Sequence, residues 1–196
     1  MRRAPMGQQE EQDFILALKR RDEAAFSELV RRHQHQVYNL VLRMLGNREE
    51  AEDVAQEVFV AVFRSIDGFR EESSLATWLY RVATNHCKNR LKYLGRRQRG
   101  KLCSLDVVAE HDLRPTATQE HYHPPDQLLE GHQAEREVQQ AIAGLEPEQR
   151  LVILLREVEG LSYQQIEEVT GLPPGTVRSR LHRARLALKE WMARHG

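Results

Sequence analysis

Three sets of residues have the types and spacing to do chemistry, and in each case the chemistry is binding. The first is Arg178, Ser179, His182 and Arg183. On a helix they fall on one half of the surface, opposite the apolar stripe Val177, Leu181, Ala184 and Leu188. Arginine can hold a guanine edge bidentately, serine adapts to either base, and further arginines neutralise phosphate. Arg180 and Arg185 flank the stripe, where they suit phosphate or acidic neighbours. The second set is Arg81, Asn85 and Asn89, spaced i, i+4, i+8 and so sharing one helix face. Asparagine offers a donor and an acceptor together, which suits base edges. The third set is Asp53 and Gln56, one turn apart, with Phe59 and the acids Glu49, Glu52 and Glu57 nearby. An acidic helix face complements a basic partner. No glycine-rich phosphate loop, metal cluster or nucleophile motif is present, so no catalytic residue, metal or cofactor is expected.

The elements that must position these residues are helices. Apolar residues recur at three- and four-residue spacing almost throughout. A first helix is predicted over roughly 10–21. Asp22 caps a second that ends at Gly46, and Asn47 caps a third that stops at Asp67-Gly68. The polar loop FREESS leads into a fourth helix, from Leu75 to about Gly95. Periodicity fails from Arg96 to about Gly131, where Pro115, Pro124 and Pro125 interrupt. It returns at Gln133 for a helix to Ala143, then one entered through Pro147 and ended near Gly160. Ser162 and Gln165 form a capping box, Gly171 closes that helix, and Pro173-Pro174-Gly175 opens the last. The fold class is all-α: two small helical domains, 9–100 and 132–196, joined by a flexible linker over 101–131. Two short helices around a tight glycine turn at 162–188 form the helix-turn-helix pattern.

Charge is segregated along the chain. Lys+Arg and Asp+Glu both total 29, so the net charge is zero. Yet Ser73 to Leu105 holds eight basic residues and no acid, while Arg48 to Glu72 holds eight acids against three arginines. Thr176 to Gly196 holds six basic residues and one acid. Separate basic and acidic surfaces imply two kinds of partner. The basic tail of the fourth helix carries Lys88, Lys92, Arg96 and Arg97, interleaved with Trp78, Tyr80 and Tyr93, and Phe69 lies in the loop before it. Basic groups beside aromatics suit single-stranded nucleic acid, although Trp78 and Tyr80 also fit a helical core. The linker histidines His111, His121, His123 and His132 lack the pattern of a zinc site. Two cysteines, Cys87 and Cys103, make no disulfide framework. No apolar run approaches the ~20 residues of a membrane span, and the N-terminus lacks an apolar signal core. A cytoplasmic protein without membrane insertion is expected.

DVAQEVF (53–59), FREESSLATWLYRVATNHCKNRLKYLGRR (69–97) and LSYQQIEEVTGLPPGTVRSRLHRAR (161–185) resemble the bacterial RNA polymerase sigma factors of the extracytoplasmic-function (ECF) group, within the sigma-70 family. The resemblance covers both helical regions and excludes the termini and linker. It implies a dissociable, non-catalytic specificity subunit, a monomer when free, without the middle domain and N-terminal extension of primary sigma factors. Its partners would be core RNA polymerase (clamp helices of the largest subunit, and flap), promoter DNA and an anti-sigma factor. Asp53, Gln56 and Phe59 match the polymerase-docking pattern D-x-x-Q-x-x-F. Phe69, Arg70, Ser73, Ser74, Arg81, Asn85 and Asn89 match the element that opens the promoter's −10 region. Arg178, Ser179, His182 and Arg183 match the −35 reader, with Arg156, Tyr163 and Gln164 approaching the same DNA. Lys88, Lys92, Arg96, Arg97, Arg180 and Arg185 are expected on the DNA backbone. A stand-alone helix-turn-helix regulator, dimeric on palindromic sites, accounts for 161–190 but leaves DVAQEVF and the basic aromatic helix unexplained.

Overall fold

A computed structural model describes residues 8–103 and 137–195, with side chains over 9–97 and 137–195. Residues 101–103 of the expected linker form the end of a helix, whereas 104–131, the histidines His111, His121, His123 and His132, and the Cys103 side chain lie outside the described residues. Every described element is helical. Helix α1 spans Gln8–Lys19, α2 Glu23–Leu45 and α3 Arg48–Ser65, followed by a single 3-10 turn, Ile66–Gly68. Helix α4 is Leu75–Cys103. In the second half come α5 (residues 137–143), α6 (Pro147–Ile153, continued by the π-helical turn Leu154–Val158), α7 (Tyr163–Thr170) and α8 (Pro174–His195).

The helix ends follow local chemistry. The Asp22 carboxylate accepts from Ala25 N–H at 2.8 Å, and the Asn47 side chain accepts from Glu50 N–H at 2.9 Å. Both satisfy backbone donors that the first turn leaves free. The Ser162–Gln165 capping box is reciprocal, with bonds of 3.2 and 2.8 Å. Gly46 and Gly171 both take φ of 70°, the left-handed turn that ends a helix and that glycine adopts without a steric cost. Helix α4 runs eight residues beyond Gly95, because the sequence that follows is mostly Arg, Gln and Lys, good helix formers, and the two glycines, Gly95 and Gly100, cost only about 1 kcal/mol each.

Helices α2, α3 and α4 pack against one another through Leu29, Val37, Leu40, Val41, Val54, Val58, Val62, Leu79 and Ala83. Helices α6 and α8 pair in the second half around Leu151, Leu155, Val177 and Leu181. The apolar core runs on without a break from one half to the other. Helix α4 lies against α7, and α2 against α6. Polar contacts also join the halves. The Tyr80 hydroxyl donates to Glu159. Arg150 reaches across to Met44 O at 2.9 Å while also donating to the carbonyls of Ala143 and Leu145. Burial draws the Arg150 guanidinium below its ordinary pKa.

Two buried side-chain atoms have no hydrogen-bond partner among the described residues, Arg150 Nε and Thr84 Oγ1. Thr84, on the buried side of α4, is fully enclosed and its Oγ1 makes no hydrogen bond. An orphan hydroxyl in a core costs about 1–3 kcal/mol. Thr84→Val keeps nearly the same shape and removes that cost. It should raise the denaturation midpoint by the equivalent of about 1 kcal/mol with an unchanged slope. A lower midpoint would mean that the hydroxyl is paired.

Candidate nucleic-acid and polymerase interfaces

Helix α8 is held by burial of Val177, Leu181 and Ala184, which turns Arg178, Ser179, His182 and Arg183 to the solvent. All four are exposed at the N-terminal half of the helix, next to the glycine turn. The Ser179 hydroxyl donates to Thr176 O at 3.0 Å. The two flanking arginines are already engaged. Arg180 pairs with Glu148, and Arg185 with Glu157 at 2.7 Å. Hydrogen bonding to Glu157 is also the largest influence raising the Arg185 pKa. These two therefore tie α8 to α6 and its continuation, and of the two roles open to them the acidic neighbours are the partners present.

Arg156 is oriented by the π-helical turn. There Glu159 N–H bonds to Leu154 O at 3.0 Å, one residue beyond the α-helical partner. Leu154 and Leu155 are thereby both buried, and Arg156 turns toward α7. Its guanidinium donates to Leu161 O at 2.8 Å and lies 5.3 Å above the Tyr163 ring. Tyr163 and Gln164 are exposed at the start of α7, beside Arg156. The helix-turn-helix thus gathers Arg156, Tyr163 and Gln164 at the start of α7, while Arg178, Ser179, His182 and Arg183 stand together on α8.

On α4 the residues past the first two turns divide cleanly. Ala83, Thr84 and Cys87 face the core; Arg81, Asn85, Lys88, Asn89, Lys92, Arg96 and Arg97 face out. Burial pushes the Cys87 thiol up to about 12, so it is fully protonated at neutral pH and serves as packing. Arg90 is the exception among the basic residues. It bridges Glu50 at 2.5 Å and Glu57 at 2.8 Å, clasping α4 to α3.

The aromatic residues before this stretch turn inward. Phe69 is 3% exposed and its ring centre lies 5.2 Å from that of Trp78. Phe69, expected at the base-capturing surface, is a core residue in this arrangement, because its ring covers Trp78 at the otherwise open start of α4. Tyr80 is covered by the second half through Glu159. Ser74 is exposed but caps α4, its Oγ accepting from Thr77 N–H at 3.1 Å. Arg70 is exposed and Ser73 half-buried. The loop is strapped down on both sides, by Arg21–Asp67 at 2.5 Å and Lys19–Glu71 at 2.9 Å, with Glu71 at a positive φ of 61°.

On α3, Asp53 and Gln56 are exposed and Phe59 is half-buried against the core. Glu50 and Glu57 face Arg90, so the outward acidic face is Glu49, Glu52 and Asp53. Sequence reasoning missed Val60 and Phe63. They are 48% and 45% exposed and share the outward face with Gln56. Phe63 meets Phe26 edge-on at 4.6 Å and carries Arg21 4.9 Å above its ring. The signal lay in VFVAVF: Val58 and Val62 complete the buried stripe, which leaves Val60 and Phe63 without a place in it. Exposed apolar side chains beside acids make a face fit for protein docking. No described helix is long and apolar enough to cross a membrane, and no group of potential metal ligands occurs among the described residues.

Two family models match this chain: Sigma-70 region 2 over residues 29–97 and Sigma-70, region 4 over residues 135–188. The RNA polymerase sigma-H factor of Pseudomonas aeruginosa is 38% identical over 92% of this chain and 93% of its own length. The chain belongs to the extracytoplasmic-function sigma factors of the sigma-70 family. The ECF RNA polymerase sigma-E factor of Escherichia coli K12 is 35% identical, over 91% of this chain and 92% of its own. Two solved structures share the fold. CnrH in complex with the cytosolic domain of CnrY is 19% identical, covers 95% of this chain and 99% of its own, and has a TM-score of 0.67. RpoE with the anti-sigma factor NepR from Bartonella quintana is 21% identical, covers 86% and 96%, and has a TM-score of 0.64. Region 2 thus contains most of α2, all of α3 and α4 as far as Arg97, and region 4 contains α5, α6, α7 and α8 as far as Leu188.

The Arg185–Glu157 pair generates a prediction. Glu157→Ala removes the carboxylate that holds Arg185 and makes its guanidinium available to a phosphate. Binding of duplex DNA by the polymerase-bound protein should tighten, and the slope of log affinity against log salt should steepen by about one. No change in slope would mean that Arg185 does not reach DNA.

Proposed function

We propose that this sigma factor binds core RNA polymerase and directs it to promoters, reading the −35 element with α8 and reading and opening the −10 element with α4 and the loop before it. The observation that carries this is the pair of exposed polar and basic faces on α8 and α4, each fixed by burial of the opposite face. Arg178, Ser179, His182 and Arg183 meet base edges at −35, supported by Arg156, Tyr163 and Gln164. Arg81, Asn85 and Asn89 meet bases at −10, with Arg70, Ser73 and Ser74 at the loop. Lys88, Lys92, Arg96 and Arg97 follow the phosphates. Basic side chains position the protein, and base-edge contacts give it sequence preference.

The α3 face of Asp53, Gln56, Phe59, Val60 and Phe63 docks on the clamp helices of the largest polymerase subunit, and region 4 docks on the flap. The protein supplies no catalysis; the core enzyme makes the RNA. It works as a monomer in the bacterial cytoplasm. An anti-sigma factor covers its surfaces when it is inactive. The contact of α4 with α7 supports a free state in which both DNA-facing regions are held together, and they separate on polymerase.

Reconstitution with bacterial core polymerase tests the reading. The wild-type protein should bind core and initiate from promoters selected from a random pool; failure to bind core would sink the reading. Within that assay Arg178→Ala should relax the preference at −35 at a cost of about 1–3 kcal/mol, whereas Arg97→Ala should weaken all sequences alike and reduce the salt slope by about one. Equal effects of both substitutions on every sequence would overturn the division into base readers and backbone holders.

A further inference from the structure

Four aromatic residues lie in and before the basic helix, and the structure separates them. Phe69, Trp78 and Tyr80 are buried. Tyr93 is 56% exposed, and among the described residues no ring contact or hydrogen bond engages it. It stands one turn beyond Asn89 and two beyond Asn85, at i+4 and i+8, and so continues their face. Lys92, Arg96 and Arg97 lie beside it on the helix at i−1, i+3 and i+4, all exposed, and none of them forms an ion pair among the described residues. An aromatic ring left open to water next to three cations is placed for a polyanion with flat or apolar faces of its own.

We propose that Tyr93 is a further promoter-binding residue, and that its ring packs against the DNA just upstream of the bases read by Asn85 and Asn89. This rests on the sigma-factor reading above. The direction follows from the chain. The N-terminal end of α4 adjoins the loop assigned to the melted −10 bases, so in that reading its C-terminal end runs along the upstream side of those bases. Eight residues separate Asn85 from Tyr93, about 12 Å along a helix, or about three to four base pairs of duplex. Tyr93 therefore extends the contact beyond the bases that the asparagines reach. The ring supplies stacking or sugar contact, and the flanking cations hold the phosphates on either side.

The test uses holoenzyme assembled from core polymerase and the full chain, with two fork-junction probes taken from a promoter selected by the wild-type holoenzyme. One probe carries duplex upstream of the single-stranded −10 segment; the other ends at the upstream edge of that segment. Tyr93→Ala should weaken binding to the long probe by about tenfold and leave the short probe unchanged. Tyr93→Phe should bind both as the wild type does, since the ring carries the contact. Core binding and the thermal midpoint of the free protein should be the same for all three. An unchanged long probe, or equal losses on both probes, would overturn the proposal, as would a Tyr93→Phe loss as large as that of Tyr93→Ala. Failure of the underlying reading would look different: the wild-type protein itself would not bind core or either probe.

Discussion

Helix α4 is pinned on one side, and most of what the molecule can do depends on that. Its inner residues, Leu79, Ala83, Thr84 and Cys87, are buried in packing with α2, α3 and α7. Rotating the helix would expose these and bury lysines and arginines, at a cost of several kcal/mol for each ion left without a partner. The outward face of Arg81, Asn85, Asn89 and the cations after them is therefore set by apolar burial on the opposite side. Arg90 adds direction to that constraint, since Glu50 and Glu57 hold it toward α3. The clasp pairs these two acids with Arg90, which leaves Glu49, Glu52 and Asp53 as the acids of α3 turned away from α4.

Region 4 repeats the logic on a smaller scale. Burial of Val177, Leu181 and Ala184 turns α8, the capping box starts α7 at a defined residue, and the Gly171 turn sets the two at their angle. The ion pairs Arg180–Glu148 and Arg185–Glu157 lock α8 onto the preceding helix. Exposed ion pairs contribute little stability each, but two of them flanking the exposed set Arg178, Ser179, His182 and Arg183 restrict how the helix can roll. Arg156 is supplied by the π-helical turn, which places consecutive leucines in the core and leaves the arginine for Tyr163 and the Leu161 carbonyl.

The contact between the halves gives the free protein a closed form. Tyr80 and Arg150 are polar groups that close the seam, while the continuous apolar core supplies its area. In the proposed reading the two halves engage separate promoter elements, and this seam is what must part for them to do so. The energy of the seam then sets how much differential affinity a partner must provide to open it.

Much of this was legible from sequence. The helices, their caps at Asp22, Asn47 and Ser162, and the exposed set on α8 follow from periodicity and local hydrogen bonding, which act within four or five residues. The family could be recognised for the same reason: its motifs are short and local. Contacts across large sequence separations could not be read. Nothing in the order of residues says that Glu57 turns to Arg90 rather than outward, that Arg185 meets Glu157, or that Arg150 reaches Met44. Nor does it say that Tyr93, of all the aromatics near the basic helix, stays open. Sequence determined which residues could share a helix face. Only the tertiary structure decided which face was buried and which charges were already paired, because burial and ion pairing depend on neighbours that the chain brings together from 28 to more than 100 residues away.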